Sequence, residues 1–155
     1  MKDPQFTEAL DKMRGWCSRQ ERSKKEVRTK LMQLGFDADC IEKVIETLVL
    51  DNYVDETRFT EAFVTGHFRM KKWGRLKLRN GLYLKGIDEQ LGAAVIAESI
   101  DEQDYEATLF DVLSKKVARS KWAELDYPSK QKLMQYAYSR GFEPDLIRRV
   151  LERQV

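Results

Sequence analysis

Residues Ala62–Ile87 read AFVTGHFRMKKWGRLKLRNGLYLKGI. The stretch divides at Trp73-Gly74. Ahead of the break, Phe59, Ala62, Phe63, Gly66, His67 and Met70 recur at helical spacing and predict one apolar face of a long helix. Behind it, RLKLRNGLYLKG opens with strand-like alternation, while Leu78 and Leu82 keep a helical interval. The choice between strand and helix decides the fold class, and it is made by the rest of the chain. Gly86-Ile87-Asp88 has counterparts in Gly35-Phe36-Asp37 and Gly141-Phe142-Glu143. Val27, Leu78 and Leu133 stand at one offset before these glycines, and Val44-Ile45, Val95-Ile96 and Val150-Leu151 at one offset after them. Phe6-Thr7-Glu8-Ala9-Leu10 matches Phe59-Thr60-Glu61-Ala62-Phe63, with Tyr105-Glu106-Ala107-Thr108-Leu109 as a looser third copy. Three copies of about 50 residues indicate a repeated supersecondary unit. The segment after Trp73-Gly74 is therefore expected to be a helix, although Gly81 weakens it by about 1 kcal/mol relative to alanine.

Each unit reads as three helices. Asp3-Pro4 is an N-cap with proline at the first helical position. Phe6, Ala9, Leu10 and Met13 form the stripe of that helix. Ser23 and Glu26 have capping-box spacing ahead of Val27, Leu31 and Leu34. Gly35 suits a left-handed C-terminal cap, and Asp37 starts a third helix with Ile41, Val44, Ile45 and Leu48 inward. Asp51–Asp55 is a turn. Asp88 caps a helix packed through Leu91, Val95 and Ile96. The last unit begins near Glu102 with Tyr105, Leu109, Val112, Leu113 and Val117. Lys121–Pro128 is a longer connection, Leu133, Tyr136 and Ala137 mark the next helix, and Pro144 opens the last, with Leu146, Ile147, Val150 and Leu151 inward. The expected fold is all-α: three tandem, helix-turn-helix-like three-helix repeats in an elongated arrangement, over residues 1–51, 52–101 and 102–155.

Composition agrees with that class. The 155 residues are 42% hydrophobic and 35% charged, with three prolines and eight glycines. Cys17 and Cys40 are the only cysteines and His67 the only histidine, too few ligands for a structural zinc site. Two reduced thiols in a cytoplasmic protein are expected. MKDPQFTEAL has no apolar signal core, and the small or apolar run 91–97 is too short to span a bilayer. No phosphate loop, metal-ligand helix or nucleophile motif appears, so neither catalytic residues, a cofactor nor a metal is expected. His67, on an apolar face, is read as structural.

Charge distribution says more than the net charge of +2. Residues 62–87 hold seven cations and no acid, whereas 37–61 carry a net of −6 and 88–106 hold seven acids and no base. Residues 1–36 and 107–155 each carry +4. Such asymmetry points to an anionic partner, nucleic acid foremost. The candidate interface residues are Arg69, Lys71, Lys72, Trp73, Arg75, Lys77, Arg79 and Lys85. The bland reading is a solvated helical face, and Arg69, Lys71 and Lys72 also compensate a helix C-terminus. Weight therefore falls on Arg75, Lys77 and Arg79 as phosphate contacts. Trp73 either stacks on an unpaired base or plugs the joint between two helices. The acidic segments are either soluble faces with N-terminal caps or contacts for a basic partner.

These residues also resemble a family. SKKEVRTKL (Ser23–Leu31), GFD followed by IEKVI (Gly35–Ile45), LDNYVDETRF (Leu50–Phe59), KWGRLKL (Lys72–Leu78) and LKGI (Leu84–Ile87) are similar to the RecX regulatory proteins of bacteria. The likeness covers about Ser18 to Ile100; the family more commonly has isoleucine where Leu78 stands and glutamate where Gly81 stands. It implies an elongated chain of three-helix units that lies in the groove of a RecA filament on single-stranded DNA. It further implies inhibition of strand exchange and of RecA-driven ATP hydrolysis; the protein itself is expected to be a monomer. The competing readings are a helix-turn-helix protein that selects duplex DNA through base edges, and an adaptor that binds proteins only.

Overall fold

The computed structural model describes residues 3–153. Residues 1, 2, 154 and 155, which the sequence assigns to the outer units, lie outside the described residues. The helices are α1 (Pro4–Arg19), α2 (Lys24–Gln33), α3 (Ala38–Leu50), α4 (Glu56–Lys71), α5 (Arg75–Leu84), α6 (Glu89–Ser99), α7 (Glu102–Lys116), α8 (Tyr127–Ser139) and α9 (Pro144–Arg153). A 3-10 segment, Arg119–Glu124, sits inside the long α7–α8 connection. Among the described residues there is no strand, and RLKLRNGLYL is helix α5.

The helix boundaries follow the capping chemistry. Asp3, Asp37, Asp55, Asp88 and Asp126 each accept a backbone N–H of the helix they precede. Ser23 and Glu26 complete a reciprocal capping box. The second helix of every unit ends at a glycine with positive φ: Gly35 (90°), Gly86 (77°) and Gly141 (102°). The next residue donates back into the helix, from Phe36 to Leu31 (3.1 Å), Ile87 to Leu82 (3.0 Å) and Phe142 to Ala137 (3.2 Å). This is one Schellman turn used three times.

Within each unit the third helix packs on the first and second, but the units do not have three equal cores. Leu10, Met13, Val27, Leu31, Val44 and Leu48 belong to one buried cluster, which Val54 joins from beyond the α3 turn. The other cluster is continuous from Phe59 to Leu151 and unites the second and third units. Between the first and second units the described hydrogen bonds are polar and peripheral. Glu56 accepts from Lys24 N (3.0 Å), Glu26 pairs with Lys85 (3.0 Å) and Glu21 with Arg58 (2.8 Å). Among the described residues no hydrogen bond or ion pair joins the first unit to the third.

Two expected faces are corrected. On α4 the buried residues are Phe59, Thr60, Val64 and Phe68. Phe63 and His67 are half-buried on a neighbouring stripe, Ala62 is exposed, and Met70 is 84% exposed. Thr60 enters the core because its Oγ1 donates to Glu56 O at 2.6 Å, which leaves its methyl to pack. On α2, Leu34 is 42% exposed, because the chain has already turned at the C-cap and the core face ends at Leu31.

Candidate nucleic-acid interface

The joint between the second and third units positions the site. Glycines meet there: a Cβ on Gly74 would lie 2.3 Å from the Gly141 carbonyl carbon and 2.5 Å from Phe142 N. That approach lets the end of α8 cap the start of α5. Gly74 N donates to Arg140 O (2.8 Å) and Leu76 N to Gly141 O (2.9 Å). Arg75 N donates to the Tyr105 hydroxyl at 2.9 Å. Gly74 offers no side-chain cap, so donors that would be orphaned at the helix N-terminus are satisfied by another unit. The three bonds are worth about 1 kcal/mol each, net.

Arg75 completes the joint. Its guanidinium lies 3.8 Å over the Tyr105 ring and pairs with Glu143 (2.9 Å) and Glu102 (2.6 Å). Burial works against its charge, but the Glu143 hydrogen bond and the neighbouring carboxylates hold its pKa above the ordinary arginine value. The Tyr105 phenol, fully buried and donating to Glu143, is pushed up by its burial. Arg75 is 25% exposed, so its charge is used inside the protein.

Beside this joint three helix C-termini converge, each bearing cations. Lys71 and Lys72 close α4, Lys115 and Lys116 close α7, and Arg140 is the C-cap of α8. Lys72 caps α4 in the left-handed region, at φ 56°, and Arg140 donates to Lys71 O. A groove of about 380 Å³ lies between them, lined by Met70, Trp73, Val112 and Tyr136 together with Lys71, Lys72, Lys115 and Arg140. Asp111 pairs with two of these lysines, Lys72 and Lys115. Lys115 beside it lowers the pKa of Lys72, as expected where ammonium groups crowd. Helix C-termini favour cations on their own account, but Lys71 makes no ion pair among the described residues and lines the groove.

The structure separates the eight candidate residues. Lys71, Lys72 and Trp73 line the groove, and Lys77 Nζ lies 4.8 Å over the Trp73 ring. Arg69 is exposed near the end of α4. Arg75 belongs to the joint, Arg79 pairs with Glu89 (3.2 Å), and Lys85 pairs with Glu26 of the first unit (3.0 Å). A segment without acids in sequence is thus partly neutralised in space: of the three cations given weight, Arg75 and Arg79 are paired, while Lys77, like Lys71, has no ion pair among the described residues. Trp73 packs 4.4 Å from His67 and 6.1 Å from Phe63, measured between ring centroids. The bare flank of Gly81 admits these rings: a Cβ there would lie 2.7 Å from Phe63 and 3.2 Å from Trp73. Sequence reasoning missed Lys115, Lys116, Tyr136 and Arg140. The two lysines had a signal in the repeat, since Lys71-Lys72 and Lys115-Lys116 both close the first helix of a unit.

Comparison with known proteins places this architecture. Profiles described as the first, second and third three-helix domains of RecX match residues 9–48, 55–96 and 103–151. The chain is 31% identical over 152 residues to the Regulatory protein RecX of Prosthecochloris aestuarii, covering 98% of this chain and 97% of that one. It is 32% identical over 153 residues to that of Chlorobium phaeobacteroides, covering 99% and 97%. The crystal structure of RecX from Lactobacillus salivarius superposes with a TM-score of 0.82 at 20% identity, over 97% of this chain and 96% of that one. With three domain profiles in order and whole-length relatives, the chain belongs to the RecX family of regulatory proteins.

Proposed function

We propose that this protein is a cytoplasmic negative regulator of the RecA recombinase, binding the RecA–single-stranded DNA filament as a monomer and inhibiting ATP hydrolysis and strand exchange. Family membership supports a regulatory role. The observation that carries the molecular reading is the groove at the joint of the second and third units. There Lys71, Lys72, Lys115 and Arg140 come from three helix ends onto one aromatic-walled surface. Cations so arranged attract phosphate without choosing sequence. Duplex selection would call for arginine, asparagine or glutamine aimed at base edges; Arg140, which lines the groove, donates to Lys71 O instead. The shared core and the glycine joint keep its two sides in fixed register, and a rigid concave element of that kind can bridge neighbouring sites on a filament.

The test is the steady-state rate of ATP hydrolysis by RecA on single-stranded DNA, titrated with this protein. Suppression well below one molecule per RecA is expected. An unchanged rate with RecA of the same organism would refute the inhibitory role, and inhibition restricted to one duplex sequence would favour the helix-turn-helix alternative.

A further inference from the structure

The three Schellman glycines give a common register for the second helices. Five residues before Gly35, Gly86 and Gly141 stand Lys30, Gly81 and Tyr136. An aromatic ring with one or two cations over it occurs at that position in every unit. In the first, Trp16 has Arg22 at 3.8 Å and Lys30 at 5.9 Å from its centroid. In the second, Trp73 lies against Gly81 with Lys77 at 4.8 Å and Lys71 at 5.7 Å. In the third, the ring is Tyr136 itself, with Lys116 at 4.7 Å. The rings reach the place by different routes: from the end of α1, from the α4–α5 link and from α8. Sequence alignment of the repeats therefore does not superpose them.

The stations adjoin one another. Trp73 and Tyr136 wall the same groove. Trp16, Lys25, Lys30 and Leu84 line a groove of about 250 Å³ that ends at Lys85 and Glu26. Those two residues also line the next depression, with Phe63 and His67, and these rings pack against Trp73. The acids along the way are engaged, Glu26 by Lys85 and Ser23 N, Glu21 by Arg58.

We infer that the three units present one continuous binding track for a single strand of nucleic acid, with one cation–aromatic station in each unit, that of the first unit lying at Trp16, Lys25 and Lys30. This rests on the phosphate-binding reading of the groove between the second and third units and extends it to a surface that the acid-free segment does not contain. The ligand class follows from the pairing of groups. A cation poised over a ring can turn to a phosphate while the ring takes an unpaired base, whereas a duplex offers no free base face.

The test uses the full chain and a fluorescent oligo(dT), with binding followed by anisotropy across a salt series. Lys25→Ala with Lys30→Ala removes two cations that line the groove of the first station. Lys43→Ala with Lys121→Ala removes the same charge from positions that line none of the three grooves. Lys71→Ala with Lys115→Ala tests the joint groove. For single strands each lost phosphate contact lowers the slope of log K against log salt by about 0.7. The first-station and joint pairs are each expected to flatten the slope by about 1.4, and the control pair to leave it unchanged. If only the joint pair matters, the three-station track is overturned and the joint groove stands. If the control pair acts like the first-station pair, the effect is net charge and the track is again overturned. If neither cluster matters, both the track and the phosphate-binding groove fall. Duplex competing as well as oligo(dT) overturns the assignment to a single strand.

Discussion

Substituting Gly74 by alanine tests the joint on which the site depends. The added methyl carbon would sit 2.3 Å from backbone atoms of Gly141 and 2.5 Å from Phe142 N. Backbone cannot rotate aside as a side-chain end can, so the two segments must separate. Separation stretches the Gly74–Arg140 and Leu76–Gly141 hydrogen bonds, now 2.8 and 2.9 Å. It also weakens the Arg75 contacts with Glu143 and the Tyr105 ring. Two lost capping bonds cost about 2 kcal/mol, and imperfect repacking of the shared core adds to this, so the expected destabilisation is about 2–4 kcal/mol. For a chain of this size that lowers the melting temperature by roughly 5–15 °C. Calorimetry or helix-detected melting reads it directly. Trp122, only 4% exposed in the third unit, reports on the same core by fluorescence. A Gly74→Ala variant within about 0.5 kcal/mol of wild type, the range of an ordinary surface change, would refute the described approach of the two glycines.

Other outcomes follow from the same contacts. Arg75→Glu places a third carboxylate beside Glu102 and Glu143 and should destabilise the joint, whereas Lys77→Glu, with no ion pair among the described residues, should keep the melting temperature and weaken single-strand binding. Equal stability losses in the two would contradict the division of roles. Gly81→Ala should be destabilising despite its better helix propensity, because the new methyl meets Phe63 at 2.7 Å; a gain in urea midpoint would contradict the packing. The two cores predict two unfolding steps. Thiol labelling of buried Cys17 and Cys40 should follow the first unit, at lower urea than the change in Trp122 fluorescence, and coincident transitions would show a single cooperative body. Burial raises the Cys17 pKa from 9.0 to about 11. Its neutral form stabilises the first core fully below pH 9, and that contribution should fade as pH rises from 9 through about 11. A stability independent of pH over that window in a Cys40→Ser background would contradict it.

Much of the fold was legible because it rests on local chemistry repeated in register. Ser23, Asp37 and Asp88 announce helix starts by their own side chains, and Gly35, Gly86 and Gly141 announce the ends. Repetition also settled α5, where alternation and helical spacing conflicted. The α4 face was misread because two apolar stripes run along that helix. Phe63 packs at the edge of the core and, with His67, against Trp73, and nothing local distinguishes the two stripes. The interface was legible only as a concentration of charge. Which cations are spent depends on acids distant in sequence: Glu102 and Glu143 for Arg75, Glu26 for Lys85. Arg140 and Tyr136 escaped for the same reason, since their place beside Trp73 is created by the Gly74–Gly141 contact.

The account turns on whether the groove between the second and third units acts on the filament. The most direct measurement compares suppression of RecA ATP hydrolysis on single-stranded DNA by the wild-type chain and by a Lys71→Ala, Lys77→Ala, Lys115→Ala triple variant of matched helicity and melting temperature. The account predicts substoichiometric suppression by the wild type and a large loss of potency in the triple variant, greatest at low salt and narrowing as salt rises. Equal suppression by both would contradict the assignment of the groove.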